Sequence, residues 1–237
     1  MKRFIAIILA AMLLVPVLQS CEKSDPGQPE KSVLATVLPY WNEVGFACQL
    51  DNGETLYPGK LRINYKVNSE IAQRAIIYFS EIKTPIQGFT YNADIFNIID
   101  ITTKEIQTLK GGLEEAFTYD SAIKLDGIAI SGNYINVEYS VMTDPSAPNQ
   151  SVDIVLYDPY DGMQETGDGG TYHLCLGVKC NPSVTSSKAQ LTSCIASFYV
   201  GSYSLSRLGC SGYTISYRDL DMKGESNIYT LLPKSGN

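Results

Sequence analysis

The sequence predicts an all-β protein, a small closed barrel followed by a β-sandwich, and three observations carry that prediction. Tyr is the commonest aromatic, at 16 against seven Phe and one Trp, and with abundant Val, Ile and Thr this favours pleated sheets over helices. From Val33 onward apolar residues fall into short runs of strand length, several alternating with a period of two. Turn signals punctuate those runs, most clearly Asp51-Asn52-Gly53 and Ser131-Gly132-Asn133, where Gly and Asn supply the positive φ angles of tight hairpins.

The elements follow in order. Val33–Tyr40 and Gly45–Leu50 read as two strands, and Glu54–Tyr57 returns from the Asp51-Asn52-Gly53 turn. Leu61–Val67 places Leu61, Ile63, Tyr65 and Val67 on one face, as a half-buried strand requires. Gln73–Ile82 and Tyr91–Ile101 complete a set short enough to close on itself rather than leave open edges. After Thr102-Thr103-Lys104, the stretch Ile106–Tyr119 is ambiguous: Glu114-Glu115-Ala116 suits a helical turn and Gly111-Gly112 opposes a long helix. Ile123–Ile130, Tyr134–Met142, Val152–Tyr157, Tyr172–Val178, Gln190–Val200, Tyr213–Tyr217 and Asn227–Leu232 then give seven strands joined by Gly, Pro and Asp loops, an Ig-like sandwich pattern.

The first 20 residues carry a different message. Lys2 and Arg3 precede an apolar run from Phe4 to Leu18, about 15 residues and too short to span a bilayer comfortably. It ends in Leu18-Gln19-Ser20-Cys21, the shape of a lipoprotein processing site. Residues 1–20 are therefore expected to be a lipoprotein signal peptide, with Cys21 the lipidated first mature residue. Residues 21–32 are polar and Pro-containing, an extended tether. The barrel is assigned to 33–104 and the sandwich to 105–237. Glu22 and Asp25 resemble an export tag, so the expected location is the outer membrane, on its periplasmic or cell-surface face.

Removing residues 1–20 takes away two basic side chains and no acidic ones, leaving 16 basic against 25 acidic, a net charge of −9. Nucleic acid is excluded as a partner, because phosphate backbones require clustered Lys and Arg and no such stripe occurs.

Several short segments carry the pattern of a known family: the leader; Leu50-Asp51-Asn52-Gly53-Glu54-Thr55-Leu56-Tyr57-Pro58; Asp100-Ile101-Thr102-Thr103-Lys104; and Ser131-Gly132-Asn133-Tyr134-Ile135-Asn136-Val137-Glu138-Tyr139. With these segments the chain resembles the NigD-like lipoproteins of Gram-negative gut and mouth bacteria. The resemblance implies an N-terminal OB-type barrel and a C-terminal β-sandwich. It implies no activity, since the family is named from a bacteriocin gene cluster and none of the matching motifs is catalytic.

Candidate site residues are few. His173 is the only histidine and the only side chain whose unperturbed pKa suits proton transfer at neutral pH. Cys175 lies two positions on, so the two share a strand face, but no nucleophile motif accompanies them. Carboxylates could converge from distant strands, and nothing in the sequence selects a pair. Asp158, Asp161, Glu165 and Asp168 form a Gly-rich, oxygen-rich loop of the kind that holds calcium, although the spacing fails the EF-hand pattern and favours a solvated loop. No other cofactor is expected.

Asp120-Ser121-Ala122 matches a short bacterial O-glycosylation motif at Ser121. Five cysteines follow Cys21. Cys175 and Cys180 would face opposite sides of one strand, a Cys175–Cys194 disulfide across a hairpin is geometrically open, and buried free thiols are the plainer reading. Tyr-rich segments, Tyr157–Tyr160 and Phe198–Tyr203 among them, suit stacking on sugar rings as well as packing inside a sheet. Together these point to a non-enzymatic, lipid-anchored binding or accessory protein for a glycan, peptide or envelope protein. Bacteriocin immunity is the alternative, and hydrolysis a third reading. Replacing Cys21 by Ser is expected to move a still-folded protein out of the membrane fraction, as fractionation and immunoblotting would show.

Overall fold

The computed structural model describes residues 28–39, 45–67, 72–108, 119–147, 150–160, 162, 164, 169–181 and 188–233. The expected signal peptide at 1–20, Cys21, Asp161, Glu165, Asp168 and the ambiguous stretch 109–118 lie outside the described residues. The described residues are almost wholly β-structure, and among them no helix is long and apolar enough to cross a membrane. The chain divides into two compact units between Thr103 and Lys104.

The first unit is a closed five-stranded barrel. Its strands are β1 (Lys31–Pro39), β2 (Phe46–Leu50), β3 (Thr55–Leu61), β4 (Gln73–Glu81) and β5 (Tyr91–Asp100), in the order β1-β2-β3-β5-β4, with β4 returning to pair with β1. Alternate residues fill the interior: Ala35 and Val37, Phe46, Cys48 and Leu50, Ala75, Ile77 and Phe79, Ala93 and Ile95. A bulge opposite Tyr78/Phe79 then skips Phe96, which moves the inward phase of β5 from Ile95 to Ile98. The displaced Phe96 ring receives the Arg62 guanidinium at 3.9 Å. Burial pushes the Cys48 thiol up to about 12, so it acts as a small apolar filler.

Two boundaries differ from expectation. The polar tether was expected to reach residue 32, but Lys31 and Ser32 already pair with Phe79 and Tyr78; a ladder is held by backbone groups and accepts polar side chains at its rim. Leu61–Val67 is not a strand: β3 ends at Leu61, and after a last backbone bond from Arg62 N to Ile95 O at 2.9 Å, residues 63–67 leave the ladder. Ile63, Tyr65 and Val67 still pack against the barrel core, so the alternation marks a buried face without a paired backbone.

Asp51, in the first hairpin turn, is bound to Arg74 of β4 by two charge-assisted hydrogen bonds, Nη1 to Oδ1 at 2.5 Å and Nη2 to Oδ2 at 2.7 Å. The Arg74 side chain has 0% exposure and also donates to Thr36 Oγ1 on β1 at 3.1 Å. One guanidinium thus ties β4, β1 and the β2–β3 turn together. Asn52 closes the same turn by accepting from Glu54 N at 3.0 Å, and Glu54 in turn accepts from the Tyr91 hydroxyl on β5. Thr103 Oγ1 accepts from Arg74 N at 3.1 Å and donates to Ile101 O at 3.0 Å, which pins the end of the unit to β4.

The second unit is built on a nine-stranded sheet folded over one core, whose first strand starts two residues before the boundary. Its strands are β6 (Thr102–Glu105), β7 (Gln107–Thr108), β8 (Ile123–Ser131), β9 (Tyr134–Thr143), β10 (Ser151–Asp158), β11 (Thr171–Asn181), β12 (Gln190–Tyr199), β13 (Gly212–Asp219) and β14 (Glu225–Leu231). One layer runs β6-β12-β9-β8 and the other β7-β10-β11-β13-β14. They join through a single rung, Asp219 with Ile123. Ile135, Val137, Tyr139, Val141 and Phe198 of the first layer meet Leu156, Tyr172, Leu174, Leu176, Ile215 and Leu231 of the second in one apolar cluster. The two-layer packing is the sandwich expected. The strand count was short by two, because Thr102–Glu105 and Gln107–Thr108 are edge strands too brief to show a period.

The Asp51–Arg74 pair supports a stability prediction. Asp51→Ala should cost about 3–5 kcal/mol, because it strands a buried charge. The Asp51→Ala/Arg74→Met double variant should recover more than half of that loss, and urea titrations of the variants would measure both.

Candidate functional site

The outer face of the β10-β11-β13-β14 layer carries the most concentrated polar chemistry near the predicted residues. Odd positions of β11 point outward because Tyr172, Leu174, Leu176 and Val178 fill the core. Antiparallel pairing sets Tyr157 beside Cys175, parallel pairing sets Cys175 beside Ser216, and β14 adds Ile228 beside Ser216. Tyr157, Cys175, Ser216 and Ile228 therefore form one row across four strands. The neighbouring row is His173, Thr214 and Thr230, and the Thr214 hydroxyl also lies 2.6 Å from that of Thr171, two residues before His173 on β11. Ile228 is 64% exposed.

Hydrogen bonds link the row. His173 Nε2 lies 3.0 Å from Ser216 Oγ, Cys175 Sγ lies 3.1 Å from the same oxygen, and the Tyr157 hydroxyl is bonded to Cys175. Burial lowers the pKa of His173, against a smaller opposing pull from Asp158, so the imidazole is neutral at pH 7. Burial raises the Cys175 pKa, and the hydrogen bonds from Ser216 and Tyr157 offset part of that rise. The exposed Tyr160 ring packs on His173 with centroids 5.8 Å apart. Ser216 thus stands between the two members of the His–Cys pair that the sequence suggested. Nucleophilic use of Ser216 would also need oxyanion donors, but β13 lies between β11 and β14 and its backbone N–H groups serve those ladders. The arrangement is suited to holding a ligand by hydrogen bonds and ring contacts.

Asp158 is committed to a different task. Oδ1 accepts from Tyr160 N at 2.9 Å and from Gln164 Nε2 at 3.3 Å, and Oδ2 accepts from Gly162 N at 2.6 Å and from the Tyr172 hydroxyl at 2.7 Å. Four donors surround a carboxylate that is 1% exposed, so a cation could reach it only by displacing them. Gln164 also brackets the His173 backbone, accepting from His173 N and donating to His173 O. This carboxylate therefore shapes the turn that brings Tyr160 onto His173. Among the described residues no group of three or more His, Cys, Asp and Glu converges.

The other candidates are dispersed. Ser121 is half-buried and its hydroxyl accepts from Cys180 N at 3.2 Å. The Cys175–Cys194 disulfide is contradicted: Cys194 pairs with Tyr139 in the opposite layer, with β9, β8 and β13 between β12 and β11 in the sheet order. Both thiols are free, as are Cys48, Cys180 and Cys210. Cys180 faces the core and Cys175 the outside, as five-residue spacing requires. Two carboxyls do meet on the outer face of β8 and β9. The Glu138 pKa is raised, mainly by burial and then by Asp126, while Asp126 itself is held by Ser140 and Lys124.

Sequence reasoning missed Ser216, Thr214 and Gln164. Ser216 and Thr214 are placed by the parallel pairing of β11 with β13, which are 30 or more residues apart in the chain, and no local signal reports such a pairing; Gln164 is placed by its two bonds to the His173 backbone.

Comparison with known proteins bears on the first unit most directly. Residues 34–101 match the family model described as the NigD-like N-terminal OB domain. The barrel is a NigD-like OB domain. Its order β1-β2-β3-β5-β4, closed by β1, fits that description.

Solved structures share the fold over most of the chain. A Bacteroides vulgatus protein of unknown function, DUF1344, has a TM-score of 0.68 at 21% identity, over 87% of this chain and 92% of that one. A NigD-like immunity protein from Bacteroides caccae has a TM-score of 0.61 at 14% identity, over 84% and 91%. A candidate lipoprotein from Bacteroides fragilis has a TM-score of 0.60 at 12% identity, over 87% and 99%. Comparison with curated proteins returns no match.

The Asp158 network makes a prediction. Asp158→Ala should destabilise the protein by about 1–3 kcal/mol through the buried Tyr172 hydroxyl and the unsatisfied turn. Chelator should leave the thermal midpoint of the unsubstituted protein unchanged; a lower midpoint with EDTA would mean that the loop holds calcium.

Proposed function

We propose that this NigD-like protein is a non-enzymatic, lipid-anchored envelope protein that binds a glycan on the outer face of its second unit. The observation that carries the reading is the exposed Tyr160 ring, held on His173 beside two rows of hydroxyl and imidazole groups. A sugar ring offers an apolar face for Tyr160 and hydroxyls for Ser216, Thr214, Thr171 and His173, and such paired demands suit an amphipathic aromatic beside fixed polar groups. The hydrogen bonds among these side chains hold them in place before a ligand arrives, which lowers the ordering cost of binding. The acidic chain disfavours anionic polysaccharides and leaves neutral ones as the expected class. The leader and its Cys21 support lipid anchoring, and the candidate lipoprotein of similar fold agrees with an anchor; the acidic residues after Cys21 favour the outer membrane.

The second reading is protection of the envelope against a toxin, favoured by the name of the Bacteroides caccae immunity protein of similar fold. A glycan array probed with the full chain separates the two. The glycan reading expects saturable signal on neutral glycans, weakened about tenfold or more by Tyr160→Ala, equivalent to about 1.4 kcal/mol. A silent array, together with increased toxin sensitivity in a deletion strain, would favour protection.

A further inference from the structure

We propose that His173 and Cys175, with the Ser216 hydroxyl between them, form a binding site for a single copper(I) ion on the outer face of the second unit. The inference stands apart from the glycan reading and uses a different property of the same row.

Three donors of different character meet here. His173 Nε2 and Cys175 Sγ both touch Ser216 Oγ, at 3.0 and 3.1 Å, so nitrogen and sulfur lie within about 6 Å of each other. Metal–nitrogen and metal–sulfur bonds of about 2.0 and 2.3 Å would require them about 4.3 Å apart in a linear arrangement. Closing less than about 2 Å is within reach of a small change in the Cys175 and His173 side-chain torsions, since both project from one strand face.

The donor set selects the ion. Thiolate and imidazole are soft and intermediate ligands, and they favour copper(I) over calcium or magnesium, which take oxygen donors. Copper(I) is satisfied by two or three ligands, so it does not need the larger group of His, Cys, Asp and Glu that the described residues lack. Ser216 Oγ is placed as a weak third donor. Binding forms an S–Cu bond, breaks the S–H bond of Cys175 and releases that proton to solvent, with no change of oxidation state.

The thiol is also preserved for the task. Cys180 lies on the opposite face of β11, and Cys194 belongs to the other layer. Cys175 therefore has no described cysteine beside it with which to form a disulfide. Tyr157 and Ser216 hold its sulfur toward the outer surface.

The test is an anaerobic titration of the full chain with copper(I) buffered by bicinchoninate, reading the metal transferred from the coloured complex. The unsubstituted protein should take one equivalent more than Cys175→Ser, and His173→Ala should weaken that equivalent at least tenfold. Ser216→Ala should keep it within a few-fold, because sulfur and nitrogen remain. X-ray absorption of the loaded protein should show sulfur and imidazole nitrogen around copper, a readout independent of whether the variants fold. Equal uptake by Cys175→Ser, or a copper shell without sulfur and imidazole, would overturn the proposal. Tyr160→Ala should leave copper uptake unchanged, so failure of the glycan reading and failure of this one are distinguishable.

Discussion

The N-terminal barrel turns on one fully buried guanidinium. Arg74 has no contact with water, yet it lies on a strand whose alternate residues Ala75, Ile77 and Phe79 fill the barrel interior. Its two bonds to Asp51 and one to Thr36 cross β4 and β1 to the first hairpin turn, which joins the closing strand to the opening hairpin. A buried ion pair of this kind contributes little compared with an apolar substitute, but a single missing partner is costly. The pair therefore specifies which turn sits beside which strand more than it adds to stability. That gives the Asp51-Asn52-Gly53 segment a physical meaning: Gly53 takes a φ of 86° in the turn, Asn52 closes it, and the Asp51 carboxylate meets Arg74.

In the second unit the decisive constraint is long-range. β11 pairs antiparallel with β10, its predecessor, and parallel with β13, while β12 crosses to the other layer. This crossover separates Cys175 from Cys194 and brings Ser216 to Cys175. Side chains along the polar row hold one another through hydrogen bonds, and Asp158 holds the turn that sets Tyr160 over His173. The result is a face of fixed geometry on paired strands, a better base for recognition than a free loop.

Much of this was legible in the residues. The Asn-Gly and Gly-Asn turns both form hairpins, and the alternation of Ala75, Ile77 and Phe79, or of Leu174, Leu176 and Val178, reports a core face directly. Leu61–Val67 shows where the same signal misleads: period two records burial on one side, and a chain that has left the ladder can still bury Ile63, Tyr65 and Val67. His173 was visible as a lone titratable group, but its meaning was not, because its partner Ser216 is a single serine 43 residues away. Asp158 read as one of four carboxylates in a loop that suited solvent better than calcium, and its four hydrogen-bond donors make it the centre of a turn.

The composition and order of the residues were enough for an all-β chain, its two hairpins and its two units, because each rests on interactions between neighbours: turn dihedrals and strand alternation. The identity of the NigD-like barrel was likewise written in contiguous segments. The tertiary structure alone decided that Arg74 meets Asp51, that Cys175 is parted from Cys194, and that His173, Ser216 and Cys175 share one face. These pairings join residues distant in the chain, and they are set by strand order and layer, which no local pattern of side chains encodes.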